Sequence, residues 1–175
     1  MSPSFLTAKT IGVDFLTASY RIYGLVEVTS AGLQGVLNDV TSDFLKLREV
    51  TMARINIPSQ LVREVPTLIL LKEHIHMVCL QKCQDLGPPA LARGGYERIR
   101  KYYTGITNLI NECQGELEWA VCFDFSTVMS GSTRNFIPLY DTRIRAIMLP
   151  NVKMKSPGLL FNRKQIDSLT FSKSS

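Results

Sequence analysis

Two stretches of this chain carry one apolar pattern: FLKLREVTMARINIP (44–58) and FIPLYDTRIRAIMLP (136–150). Phe44 falls on Phe136, Leu47 on Leu139, Met52 on Ile144, Ile55 on Ile147 and Pro58 on Pro150, at an offset of 92. Further on the offset is 91. Pro66 then meets Pro157, Ile69 meets Leu160, Lys72 meets Arg163, Ile75 meets Ile166 and Leu80 meets Phe171. Upstream, Leu33, Val36 and Leu37 fall on Phe125, Val128 and Met129, a spacing that puts three apolar side chains on one side of a short helical turn. Thr41 meets Thr133, which predicts a local side-chain cap for the turn that follows. One pattern running through helix, strand, turn and strand predicts a duplicated unit.

Each copy reads alike. A strand opens it, YRIYGLVEV in the first copy and GELEWAVCF in the second. The helical turn follows, then a strand from Phe44 or Phe136, a loop with two prolines and a closing strand over 68–80 or 159–171. Alternation in VTMARINI and TRIRAIML fits half-buried strands, and the prolines bracket them because they cannot donate to a central ladder. A unit of about 60 residues has a thin core and open edges. The expectation is therefore a mainly β protein: two tandem small curved sheets or barrels with short helical turns, related by a pseudo-twofold and sheltering one another. The first repeat spans 1–80, the second 112–175. Residues 81–111 form a linker, DLGPPALARGG, followed by an extra strand or helix. Tyr96, Ile99, Tyr103, Ile106 and Ile110 fit a helix face. Gly105 and the β-branched residues favour a strand, and YYTGI echoes RIYGL of the first copy.

KEHIHMVCLQKC (72–83) holds both histidines and two of the four cysteines. On a strand, His74 and His76 share one face and Cys79 takes the other, so one metal ion is not easily reached from both. A structural zinc site wants four ligands in close pairs, and the other copy has Gln165, Asp167 and Thr170 at the corresponding positions. Lys72, His74 and His76 read instead as a solvent-facing row. No metal or cofactor is expected. No nucleophile elbow, phosphate-cradling loop or HExxH occurs, and Cys122 near Asp124 reads as a buried thiol beside Trp119, so no catalytic residue is assigned.

Charge is unevenly spread. Residues 1–80 balance, whereas 120–175 hold eight basic side chains and three acids, an excess equal to the chain's net +5. Such a surface attracts phosphate-rich partners, and Tyr and Arg interleave in YERIRKYY as they do where bases stack and cations hold phosphates. No apolar run reaches the ~18 residues of a membrane span. The stretch MSPSFLTAKTIGVDFL lacks the basic start and long apolar core of a signal peptide, so the expected location is cytoplasmic, with reduced thiols.

Tyr20, Arg21, Ile22 and Gly24, then Leu33, Leu37 and Asn38, then Phe44, Leu45 and Leu47, and lastly Lys72, His74 and Ile75 resemble a small bacterial module of unknown function with a YRI-x-G, LN, FL-x-L and K-x-HI pattern. The resemblance covers about residues 18–80. It fades in the second copy, which has Ser130 for Asn38 and Gln165 for His74. More loosely the module resembles the small Sm-like barrels, which pair edge strands into rings and often bind RNA. The expected function is a non-catalytic binding or assembly module that presents edge strands or a basic face, with a protein or a second copy of itself as partner. The alternative is a single-stranded RNA or DNA binder using the basic second repeat. The residues expected on the partner face are Lys72, His74, His76, Arg143, Arg145, Arg163 and Lys164.

Overall fold

The computed structural model describes residues 8–88, 100–119, 126–131 and 134–173. Tyr96, Arg98, Cys122, Asp124 and Thr133 lie outside the described residues, so the readings placed on them are not addressed. Ten strands form one open antiparallel sheet: β1 (Lys9–Leu16), β2 (Tyr20–Val28), β3 (Phe44–Arg54), β4 (Ile57–Leu71), β5 (Met77–Leu80), β6 (Arg100–Thr107), β7 (Asn111–Trp119), β8 (Phe136–Ala146), β9 (Lys153–Asn162) and β10 (Ser168–Lys173). Their order is β10-β6-β7-β8-β9-β5-β1-β2-β3-β4. A short helix, α1 (Gly32–Asn38), joins β2 to β3, and a π-helical turn (Thr127–Gly131) precedes β8.

Strand pairing in β1–β5 recurs in β6–β10. β1 pairs with β2 and β5, as β6 pairs with β7 and β10. β3 lies between β2 and β4, as β8 lies between β7 and β9. Registers coincide: Phe44 faces Leu71 as Phe136 faces Asn162, and Val13 faces Leu80 as Thr104 faces Phe171. Even the irregularities match. Opposite Gly24, β3 carries two residues where one would fit; opposite Gly115, β8 does the same. The first bulged residue is Glu49 in one case and Asp141 in the other, with φ of 49° and 48°. A bulge bends its strand and increases local twist, so both sets curve at one point. Glycine is required opposite: a Cβ on Gly115 would sit 2.7 Å from Thr142 Cγ2 and 2.9 Å from the Tyr140 carbonyl oxygen.

Several expectations change. The counterpart of YRIYGLVEV is NECQGELEW rather than GELEWAVCF, because Gly115 rather than Trp119 occupies the bulge position. Arg100–Thr107 is a strand, β6, and it takes the place of β1 in the second set rather than standing as an extra element. Pro58 and Pro66 lie inside β4 instead of in a loop, tolerated because β4 has a partner on one side only. Thr41 donates to the Asp39 carboxylate instead of capping the following turn.

The expected closing strands are broken. β4 ends at Leu71, a 3-10 turn covers Lys72–His74, and β5 begins at Met77; β9, Arg163–Gln165 and β10 repeat this. The chain turns a corner there, leaving β3 to pair with β1. Backbone bonds fix the corner twice over: Lys72 N–H donates to Asp43 and His76 N–H to Leu16, as Arg163 N–H donates to Asn135 and Asp167 N–H to Thr107.

Two apolar clusters lie on opposite faces of β5 and β9. Val78, Leu80 and Leu160 belong to one, with Val13, Phe15, Leu33, Leu37 and Leu47. Met77, Cys79, Leu159 and Phe161 belong to the other, with Ile106, Leu117, Leu139 and Ile144. Burial on both faces is why MVCL and GLLF read as unbroken apolar runs without alternation.

Candidate functional site: two open edges and the junction between them

The strand that joins the two sets is β5, paired with β9 over four residues: Met77 with Phe161, Val78 with Leu160, Cys79 with Leu159 and Leu80 with Gly158. These strands are not counterparts of one another. The counterpart of β9 is β4, and that of β5 is β10; β4 and β10 close the sheet order at its two ends, each with one edge unpaired among the described residues.

Polar groups latch the junction. Asn162 is buried, donates Nδ2–H to the Ile75 carbonyl at 2.9 Å, and continues the ladder from its N–H to the His76 carbonyl. Gln165 donates to the Glu73 carbonyl at 2.7 Å. Ser156 Oγ accepts from Leu80 N–H and lies 2.8 Å from the Leu80 carbonyl. Asn38, at the end of α1, holds both backbone groups of Phe136.

The seven residues expected on a partner face separate into three groups. Lys72 and Arg163 are structural. Lys72 Nζ donates to the Asp39 carbonyl just past α1, and Arg163 Nη1 donates to the Val128 and Met129 carbonyls of the π-helical turn. Both cations satisfy carbonyls that a helical turn leaves free at its C-terminal end. Burial lowers the Lys72 pKa, against the raising effect of Asp39 and Asp43.

His74, His76 and Lys164 line one cleft of about 740 Å³ with Tyr20, Met52, Leu68, Ile69 and Asp167. The expected solvent-facing row is not formed, because the 3-10 turn breaks strand alternation: His74 is exposed while Lys72 and His76 are buried. His76 Nδ1 has no hydrogen-bond partner among the described residues. Desolvation lowers the His76 pKa, opposed by Asp167 and assisted by His74.

Arg143 and Arg145 stand apart from these, on β8. Arg143 faces Lys155 and Arg145 faces Lys153 across the β8–β9 ladder. All four are exposed, and among the described residues none is in an ion pair. The positions matching them in the first set hold Thr51, Ala53, Val62 and Glu64, so the sheet does not itself demand cations there.

Thiol chemistry has little support at the described cysteines. Burial pushes the Cys113 thiol up to about 12 and raises Cys79 and Cys83 as well, away from the thiolate form that reacts. Among the described residues no three His, Cys, Asp or Glu side chains are grouped as metal ligands, and no helix is long and apolar enough to cross a membrane.

Sequence reasoning anticipated open strand edges but not which strands carry them. Leu61, Val62, Ile69 and Leu71 on β4 and Phe171 on β10 are exposed, as is Phe44 beside β4. Their apolar character was visible, but a repeat alignment does not say which copy is covered. Compared with known proteins, the chain matches no family model, no curated protein and no solved structure.

Proposed function

We propose that the chain is a non-catalytic assembly module, built of two small Sm-like units in tandem, that joins partners through the edges of β4 and β10. The observation that carries this reading is the pair of open edges with exposed large apolar side chains, Ile69 and Leu71 at one end and Phe171 at the other. An open edge of this kind is a template for strand addition. Shared strand pairing and the matching bulges at Gly24 and Gly115 support a duplication as the origin of the tandem. A pseudo-twofold, the relation expected from the sequence, would repeat the junction between β10 and β4. Those strands stand at opposite ends of the sheet, so the relation proposed here is head to tail.

The test is the native mass of the material purified from its own host. Species larger than the 19.7 kDa chain, with stoichiometric composition, are expected; a lone chain under all gentle conditions would contradict the reading.

A second reading rests on Arg143, Arg145, Lys153 and Lys155. Like charges directly opposite on a ladder are destabilising, and an anionic partner relieves them. Binding of single-stranded RNA or DNA should weaken steeply with salt and disappear when the four are neutralised. The basic face expected from sequence is thereby redrawn: Lys153 and Lys155 join Arg143 and Arg145, while Arg163 is engaged with the π-helical turn.

A further inference from the structure

We infer that the partner of the β10 edge is the β4 edge of a second copy of this chain, in the register of the internal β5–β9 junction. The inference rests on the assembly reading above and names its partner.

The internal junction is a template whose other half is exposed. Residues that the junction covers are buried where their counterparts in the other set are exposed. Phe136 is 2 % exposed beneath α1, whereas its counterpart Phe44 is 48 % exposed. Leu160 is fully buried against β5, whereas its counterpart Ile69 is 52 % exposed. Leu71, matching buried Asn162, is also exposed. Away from the junction the counterparts agree: Leu45 and Ile137, and Leu47 and Leu139, are buried alike. On the donor side, β5 is buried throughout, while Phe171 of β10, matching Leu80, is exposed.

Carrying the β5–β9 register over the repeat places Ser168 of one copy opposite Leu70 of the next, Leu169 opposite Ile69, Thr170 opposite Leu68 and Phe171 opposite Thr67. Proline limits the pairing. Pro157 lies immediately before the four paired residues of β9, and Pro66 lies immediately before Thr67 on β4. His74 takes the position of Gln165, which brings its exposed ring to the Lys164 carbonyl of the neighbour. Three latches are not reproduced, since Leu71 replaces Asn162, Val65 replaces Ser156 and Ser130 replaces Asn38. The contact between chains is therefore the weaker version of the internal one, and reversible. It joins different strands on the two copies, so it is heterologous and propagates into a ring or a filament.

The test mixes two chains that each carry one added cysteine, Thr170→Cys and Leu68→Cys, in a Cys83→Ser, Cys122→Ser background that keeps the buried Cys79 and Cys113. Mild oxidation should give a disulfide joining position 170 of one chain to position 68 of another, identified by peptide mass. Replacing the second chain by Ile69→Cys should reduce the yield sharply, because a one-residue slip turns side chains to the opposite face. Independently, light scattering of the unmodified chain should show mass rising with concentration, and Ile69→Lys should weaken association by about tenfold or more. Self-association with a different cross-linked register would overturn this inference and leave the assembly reading standing. A chain that stays monomeric at high concentration, yet is recovered from its host bound to another protein, would also overturn it alone. A chain monomeric in both settings would remove both.

Discussion

The Asn38 side chain holds the backbone of Phe136 from both ends: its Nδ2–H donates to the Phe136 carbonyl at 2.9 Å, and its Oδ1 accepts from the Phe136 N–H at 2.8 Å. It does for β8 what a neighbouring strand would do, at the point where the first set of strands covers the second. Asn38→Ala leaves both backbone groups without these bonds beside a nearly buried ring. We predict a loss of about 1–3 kcal/mol in urea unfolding. Asn38→Asp should restore little, since a carboxylate can accept from the N–H but cannot donate to the carbonyl.

Gly32 opens α1 with φ of +67°, and a Cβ there would lie 2.3 Å from the Gly87 backbone. The left-handed conformation alone makes Gly32→Ala unfavourable by about 1–2 kcal/mol. Displacement of the turn Cys83–Leu86, which contacts α1, adds to this. A melting temperature well below that of Gly35→Ala, a position where φ is not positive and the near neighbour is a methyl group, is the expected result.

Lys72→Met keeps the aliphatic stem and removes the ammonium that meets the Asp39 carbonyl. We expect destabilisation of about 1–3 kcal/mol. Lys72→Arg should recover most of it, because Arg163 fills the matching role in the second set. Equal stability of Lys72→Met and the unmodified chain would return Lys72 to the surface role expected from sequence.

His76 gives a pH dependence with a definite sign. Its pKa in the fold lies below the ordinary 6.5, mainly through desolvation. As pH falls through 6.5, the unfolded chain takes up the proton first, so stability drops until the folded form titrates too. Asp167, His74 and Lys164 border the same cleft and belong to the background. The urea midpoint should fall between pH 7.5 and 5.5, and fall less in His76→Leu. An identical fall in both proteins would assign the effect elsewhere.

Much of the strand plan was legible because apolar spacing is local. Phe44 and Phe136 both open strands, and Leu33, Leu37 and Val128 do face a core from helical turns. The corner at Lys72–His74 was not legible, because KEHIH alternates as a strand does, and only the pairing switch from β3 to β1 shows that the chain bends. Likewise the Gly24 and Gly115 bulges decide which strands correspond, yet glycine alone does not announce a bulge. Of the partner-face residues, Lys72 and Arg163 misled for a physical reason. A basic side chain near a helical turn's carbonyl end looks the same in sequence whether it is solvated or engaged. Open edges were expected, but which strands carry them was not legible, because exposed and buried leucines share one letter.

Hydrogen exchange at low and high protein concentration tests the central claim most directly. Edge pairing predicts that residues 67–71 and 168–172 gain amide protection together as concentration rises, while 59–65, on the far side of Pro66, stay unchanged. Protection that is independent of concentration, or that rises in β8 and not in these two segments, would contradict it.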